Sequence, residues 1–184
     1  MRLLTLIFAL MALPAFGAPE TYRLNPETSI VGFTYQFQGN PAKGRMPIKD
    51  ADMRLDLDNI PASEVNVTLD ASQAKAGVIF ATEAMKGPKI LNTDRYPTIS
   101  FRSTQIKGDL QGAQIRGNLT IRDITLPIVL QANLFRQSGT EVGDRNRLIV
   151  QLTGKIKRAD YGAGGFAAFV EDVITLNIIA RIER

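Results

Sequence analysis

The chain has neither cysteine nor histidine among its 184 residues. Those two absences exclude much chemistry. Ser–His–Asp and Cys–His nucleophilic arrangements cannot be assembled, and a zinc site would lack its preferred nitrogen and sulfur ligands. Disulfides cannot carry stability, and no cysteine follows the N-terminal segment to accept a lipid anchor. There is also no low-complexity tract, no internal repeat and no linker rich in Pro, Gly or Ser, so the chain reads as one domain behind a leader. No run of like charge exceeds two residues. The 22 basic and 18 acidic residues interleave for a net +4, which excludes a nucleic-acid footprint. No apolar run reaches the ~20 residues that a membrane-spanning helix needs.

The longest such run opens the chain. Arg2 supplies a charged start, Leu3 to Leu13 an apolar stretch, and Ala15 and Gly17 the small residues of a cleavage site. Residues 1–17 therefore read as a secretory signal, with cleavage after Gly17 and an exported domain over 18–184.

What the rest of the chain has is alternation. In Ser29–Gln38 the odd positions Val31, Phe33, Tyr35 and Phe37 are large and apolar, while Gly32, Thr34 and Gln36 are small or polar. Met53, Leu55 and Leu57 alternate with charged neighbours, and Val65, Val67 and Leu69 with Glu64, Asn66, Thr68 and Asp70. Side chains on a strand point to opposite faces in turn, so each run has one face for an interior and one for water. Strands are expected at Thr21–Leu24, Ser29–Gln38, about Arg45–Leu57, Glu64–Ala71, Thr98–Lys107, Gln114–Asp123, Leu126–Gln137, Arg147–Arg158 and Asp172–Glu183. A turn is expected at Asn25–Pro26–Glu27. The segment Gly39–Gly44, punctuated by Gly39, Pro41 and Gly44, reads as a loop. Ser72 to Leu91 breaks the alternation; there Val78, Ile79, Ala81, Thr82 and Met85 fall three or four apart and Gly87–Pro88 stops the pattern, which predicts one short amphipathic helix.

The economical closure for so many half-buried strands is an all-β antiparallel barrel of about eight strands, with the helix covering an end. Such a barrel is just wide enough for its side chains to fill it or for one small ligand to occupy it. Phe33, Tyr35, Phe37, Phe101, Leu119, Ile121, Leu130 and Leu134 are its expected inward set, giving a deep apolar lumen.

Chemistry outside the lumen is weakly signalled. Asp50, Asp52, Asp56 and Asp58 lack the Gly and terminal Glu of a calcium loop, and Asp52, Asp56 and Asp58 fit the solvent face of a strand. Tyr161–Gly165 is glycine-rich but does not join a strand to a helix, so it reads as a barrel rim and not as a phosphate cradle. Asn66–Val67–Thr68 and Asn118–Leu119–Thr120 match a glycosylation acceptor but fall within strands. A carboxylate-pair hydrolase would need two acids converging on a cleft, and most acids here alternate with apolar residues on outer faces.

Three segments carry a family resemblance. They are Tyr22–Arg23–Leu24–Asn25–Pro26–Glu27–Thr28–Ser29–Ile30–Val31–Gly32–Phe33; Arg95–Tyr96–Pro97–Thr98–Ile99–Ser100–Phe101–Arg102–Ser103 followed by Ile115–Arg116–Gly117–Asn118–Leu119–Thr120–Ile121–Arg122–Asp123–Ile124–Thr125–Leu126–Pro127–Ile128; and Ile156–Lys157–Arg158–Ala159–Asp160–Tyr161–Gly162 with Val170–Glu171–Asp172–Val173. In that order they resemble the YceI-like proteins, lipocalin-like barrels that bind polyisoprenoids. Thr28 and Phe37 stand where that family often has histidine, and Asp123 where it usually has glycine.

The resemblance implies an extended lipocalin-like barrel with a helix over one end, exported to the periplasm. It would carry an isoprenoid-like lipid, such as a quinone or polyprenyl tail, in its lumen, with no covalent chemistry and no other cofactor. The ligand contacts would be the inward set together with Phe80 and Met85 of the helical segment, and Arg158 and Tyr161 at the rim would meet the headgroup. Tyr35 is a further polar candidate near the mouth. Transient contact with a membrane surface and a homodimer remain open as partners. The alternative is a stress-response interaction protein whose barrel is filled by its own side chains.

Overall fold

The structure, a computed structural model, describes residues 19–184; the leader expected at residues 1–17 lies outside them. Ten strands run in chain order: β1 Glu20–Leu24, β2 Ile30–Phe37, β3 Asn40–Met46, β4 Ile48–Leu55, β5 Glu64–Asp70, β6 Thr98–Gly108, β7 Ala113–Ile121, β8 Ile124–Arg136, β9 Arg147–Lys157 and β10 Val173–Glu183. A single α-helix, α1 Ile79–Lys86, lies between β5 and β6. Eight of the strands close a circuit in the order β1-β4-β5-β6-β7-β8-β9-β10 and back to β1, every pairing antiparallel. This is the expected eight-strand barrel, and closure leaves it little exposed sheet edge.

The β2–β3 hairpin raises one side of the wall. β10 pairs with β9 along its whole length, and its other edge serves β1 through Leu24↔Ile182 and β2 from Ile179↔Ile30 to Thr175↔Thr34. The chain steps from β1 to β2 through the expected turn, where the Thr28 amide donates to Asn25 Oδ1 at 3.2 Å and the Ser29 amide to the Asn25 carbonyl at 3.0 Å.

Two expectations need correction. Gly39–Gly44 is not a loop: Gln38 and Gly39, both at positive φ (50° and 76°), make a two-residue turn, and β3 begins at Asn40. Paired positive φ angles match the twist of a hairpin. Pro41 is tolerated because β3 is an edge strand, its outer side met only by an isolated Arg45↔Lys75 bridge. The long strand from Arg45 is consequently divided, with Pro47 separating β3 from β4.

Within Ser72–Leu91 the expected short helix takes up Ile79–Lys86. Asp70 caps a 3₁₀ turn at Ala71–Gln73 by accepting the Ser72 and Gln73 amides, the bridge at Lys75 extends the backbone, and Gly77 turns it at φ +88°. Only then does α1 start, and it stops at Gly87, whose amide donates to the Glu83 carbonyl.

Asp56 is the second correction. It is buried, not on the solvent face of a strand, and its carboxylate accepts the Asp58 and Asn59 amides at 3.0 and 2.8 Å. The chain turns there, beyond the end of β4, so alternation no longer sets the facing.

The barrel has two unlike ends. One carries α1, the β2–β3 turn, the β7–β8 turn and the β9–β10 loop; the other carries the β4–β5, β6–β7 and β8–β9 connections. Tyr22 seals the second end. Its side chain is fully buried, and its hydroxyl donates to the Arg145 carbonyl at 2.9 Å.

Candidate functional site

An apolar cavity of about 580 Å³ runs through the barrel. Alternation places its wall. Phe33, Tyr35 and Phe37 of β2, Phe101 of β6, Leu119 and Ile121 of β7, and Leu130 and Leu134 of β8 all line it, as do Ile174, Leu176 and Ile178 of β10. From α1, Phe80 and Met85 reach the same space, with Ala81 and Ala84 beside them. Leu57 and Ile60 line it at the opposite end, so the space extends nearly the full barrel.

So much aromatic surface could have closed the lumen. Glycine prevents this at two places. Phe33 faces Gly44 across the β2–β3 ladder, and a Cβ on Gly44 would sit 2.1 Å from the Phe33 Cζ. A Cβ on Gly117 would sit 2.4 Å from the Phe101 Cζ. Each ring lies over a bare stretch of backbone, along the wall and not across the bore.

The mouth is at the helix end. Phe80, Phe166 and Phe169 line the cavity and are also 68, 41 and 49 % exposed. Phe166 and Phe169 belong to the β9–β10 loop, which is tied down by an isolated Phe37↔Val170 bridge and by the Gln38 amide donating to the Phe169 carbonyl at 2.8 Å.

The structure places eleven of the twelve expected site residues at the cavity wall and leaves out Tyr161. Tyr161 is fully buried in the apolar cluster at the helix end, where burial first and Asp160 second raise its pKa. Arg158 touches the cavity, but its guanidinium is committed to the fold. Its Nε donates to the Glu171 carbonyl (3.0 Å), Nη1 to those of Ala163 and Gly165 (both 2.6 Å), and Nη2 to that of Val170 (2.7 Å). Four of five fork donors hold the β9–β10 loop, so the expectation of a rim arginine free for a headgroup is corrected. Desolvation lowers the Arg158 pKa, partly offset by Asp172. Tyr35 is engaged as well: its hydroxyl donates to the Ala76 carbonyl at 2.8 Å, and burial raises its pKa.

The other polar groups at the wall are few. Ser63 accepts the Asp56 amide, and Asp109 accepts the Gln111 and Gly112 amides. Gln38, at the mouth, and Asn133, toward the opposite end, border the cavity, and both are exposed with no side-chain hydrogen bond among the described residues. Sequence reasoning missed both, together with Phe166 and Phe169. All but Asn133 lie in turns, where no period marks an inward position; Asn133 is a polar residue of β8 that the apolar alternation does not mark.

This geometry suits an elongated apolar guest. Among the described residues no cluster of three or more Asp and Glu could hold a metal ion.

Comparison with known proteins agrees with the architecture. The YceI-like domain matches residues 22–182. Protein YceI of Escherichia coli O17:K52:H18 is 30% identical over 163 residues, covering 86% of this chain and 85% of that protein. Among solved structures, BcnA of Burkholderia cenocepacia superposes with a TM-score of 0.77 at 15% identity, covering 86% of this chain and 99% of its own. A polyisoprenoid binding domain from Saccharophagus degradans, implicated in plant cell wall breakdown, gives 0.62 at 16% identity, covering 88% and 97%.

Proposed function

The chain belongs to the YceI-like family, and from that premise we propose that it is an exported, periplasmic carrier holding the hydrocarbon tail of an isoprenoid-type lipid in its barrel, without covalent chemistry. The observation that carries this reading is the cavity. Its 580 Å³ lies within the range of ligand sites, ~300–1,000 Å³. At ~24 cal/mol per Å³ of unfilled apolar space, an empty lumen of this size would cost on the order of 10 kcal/mol, comparable to the whole stability of a domain. Water would find almost no partners there. A long apolar guest removes that cost and gains ~0.8 kcal/mol for each CH₂ buried. The same cavity argues against a barrel filled by its own side chains.

The isoprenoid class is supported by the fold shared with the Saccharophagus polyisoprenoid binding domain. Export is supported by Arg2, the apolar stretch and the Ala15/Gly17 pair. The absence of histidine and cysteine agrees with carriage and not turnover. Of the polar groups at the wall, the Gln38 amide is placed to meet a headgroup at the mouth.

A chain-length series tests the proposal. Polyprenyl phosphates of increasing length, titrated against the purified protein, should bind more tightly with each added unit until the lumen is full, then level off. Affinity independent of length would mean that only the headgroup is held, and release of phosphate would mean that the protein is an enzyme.

A further inference from the structure

The apolar rim of the mouth continues past anything the cavity uses. Val78 and Ile79, at the start of α1, are 51 and 84 % exposed and do not line the cavity, whereas Ala81, Ala84 and Met85 on the inward face of the helix do. With Phe80, Phe166 and Phe169 they make a contiguous exposed apolar rim around the opening. Scattered exposed hydrophobics need no explanation, but a cluster ringed by polar groups marks a contact surface.

Exposed cations flank it. Lys75 bridges Arg45 on β3, the Lys43 carbonyl lies against Gly77, and Lys89 Nζ stands 5.5 Å from the centre of the Phe166 ring. Lys43, Arg45, Lys75 and Lys89 are all exposed, and the three ion pairs among the described residues use none of them. The exposed acids of the same connections are Glu83, Asp94, Asp160 and Glu171; Asp123 accepts from Tyr96, and Asp172 from the Ala159 amide. The opposite end is acidic. Its connections hold Asp56, Asp58, Asp109, Glu141 and Asp144 against Arg145.

We propose that the mouth docks on an anionic phospholipid surface, with Val78, Ile79 and Phe80 entering the interfacial layer and the flanking cations meeting lipid phosphates. The charge asymmetry would turn the mouth toward such a surface and the acidic end away from it. An apolar rim flanked by Lys and Arg is the composition of an interfacial anchor, and docking by the rim would let a tail pass between bilayer and lumen without crossing water. The inference rests on the carrier reading for its purpose but not for its test.

The test is cosedimentation of the purified protein with vesicles of phosphatidylcholine, with and without phosphatidylglycerol. The protein should pellet with the anionic vesicles and less so as salt is raised. Ile79→Ser should weaken that binding about tenfold, a fraction of the value of burying the whole side chain. Val78→Ser/Ile79→Ser should weaken it further while leaving the fold intact, since serine is a better helix N-cap than valine. Val142→Ser, at a residue 94 % exposed near the acidic end, should change nothing. Protein that stays in the supernatant with anionic vesicles, or an equal loss from Ile79→Ser and Val142→Ser, overturns docking. The lipid content of each variant, measured in parallel, separates the two readings: bound lipid without vesicle association defeats docking alone, and vesicle association without bound lipid defeats the carrier alone.

Discussion

Replacing Arg158 by alanine should unfold the rim of the barrel instead of blunting headgroup recognition. The guanidinium holds four backbone carbonyls that span the β9–β10 loop, from Ala163 and Gly165 on its first leg to Val170 and Glu171 on its second. Arg158 also donates its own amide to the Asp172 carbonyl and accepts from the Ala163 amide. Hydrogen bonds to charged groups are worth ~1.5–3 kcal/mol each, but the loop will swing out and let water reach some of the abandoned carbonyls. A net loss of about 3 to 5 kcal/mol is therefore expected, the range seen when one partner of a buried charged network is removed. For a domain of this size that lowers Tm by on the order of 10 °C. Arg158→Lys should recover little, because an ammonium cannot present the planar fork. The assays are denaturant unfolding and titration with a polyprenyl phosphate and with its bare hydrocarbon. Both ligands should lose affinity together, because Phe166 and Phe169 ride on the loop that Arg158 holds. Unchanged stability with a loss confined to the phosphate-bearing ligand would refute this reasoning and return Arg158 to the headgroup.

Phe33→Asp should cost several kcal/mol and abolish lipid retention by placing an unpaired carboxylate on the cavity wall; Thr34→Asp, on the outer face beside Asn177, should do neither, and paired melting curves with lipid extraction decide it. Gly44→Ala should force the Phe33 ring off its bed, at about 1 to 3 kcal/mol for an overpacked site, and should shorten the longest isoprenoid accepted in a chain-length series. Stability should be nearly flat between about pH 5 and 8, where no histidine is present to titrate. It should fall above pH ~10, because burial raises the pKa of Tyr22, Tyr35 and Tyr161, so the unfolded chain loses those protons first. On the acid side it should fall as Asp70, lowered by its hydrogen bond from Ser72, takes up a proton; urea midpoints across pH check both limbs.

Most of the barrel was legible because a half-buried strand writes its facing into every second residue. The runs at Val31–Phe37 and Leu119–Ile121 named inward residues that do line the cavity. The β2–β3 hairpin was not legible, since Pro41 and Gly44 usually punctuate loops. Here an edge strand tolerates the proline, and the Phe33 ring requires the glycine. The role of Arg158 was hidden for a different reason: its partners are carbonyl oxygens, which every residue carries and no sequence pattern marks. Gln38, Phe166 and Phe169 reach the mouth from turns, where spacing says nothing about direction. The short helix was legible in the spacing of Val78 to Met85 and in the stop at Gly87–Pro88.

The central claim is that the lumen belongs to a lipid tail. Native mass spectrometry of the protein isolated from its own cells, before and after organic extraction, tests it most directly. The account predicts one lipid per chain, released by extraction and carrying a polyisoprenoid mass ladder. A chain whose mass is the same before and after extraction, with no lipid in the organic phase, would contradict it.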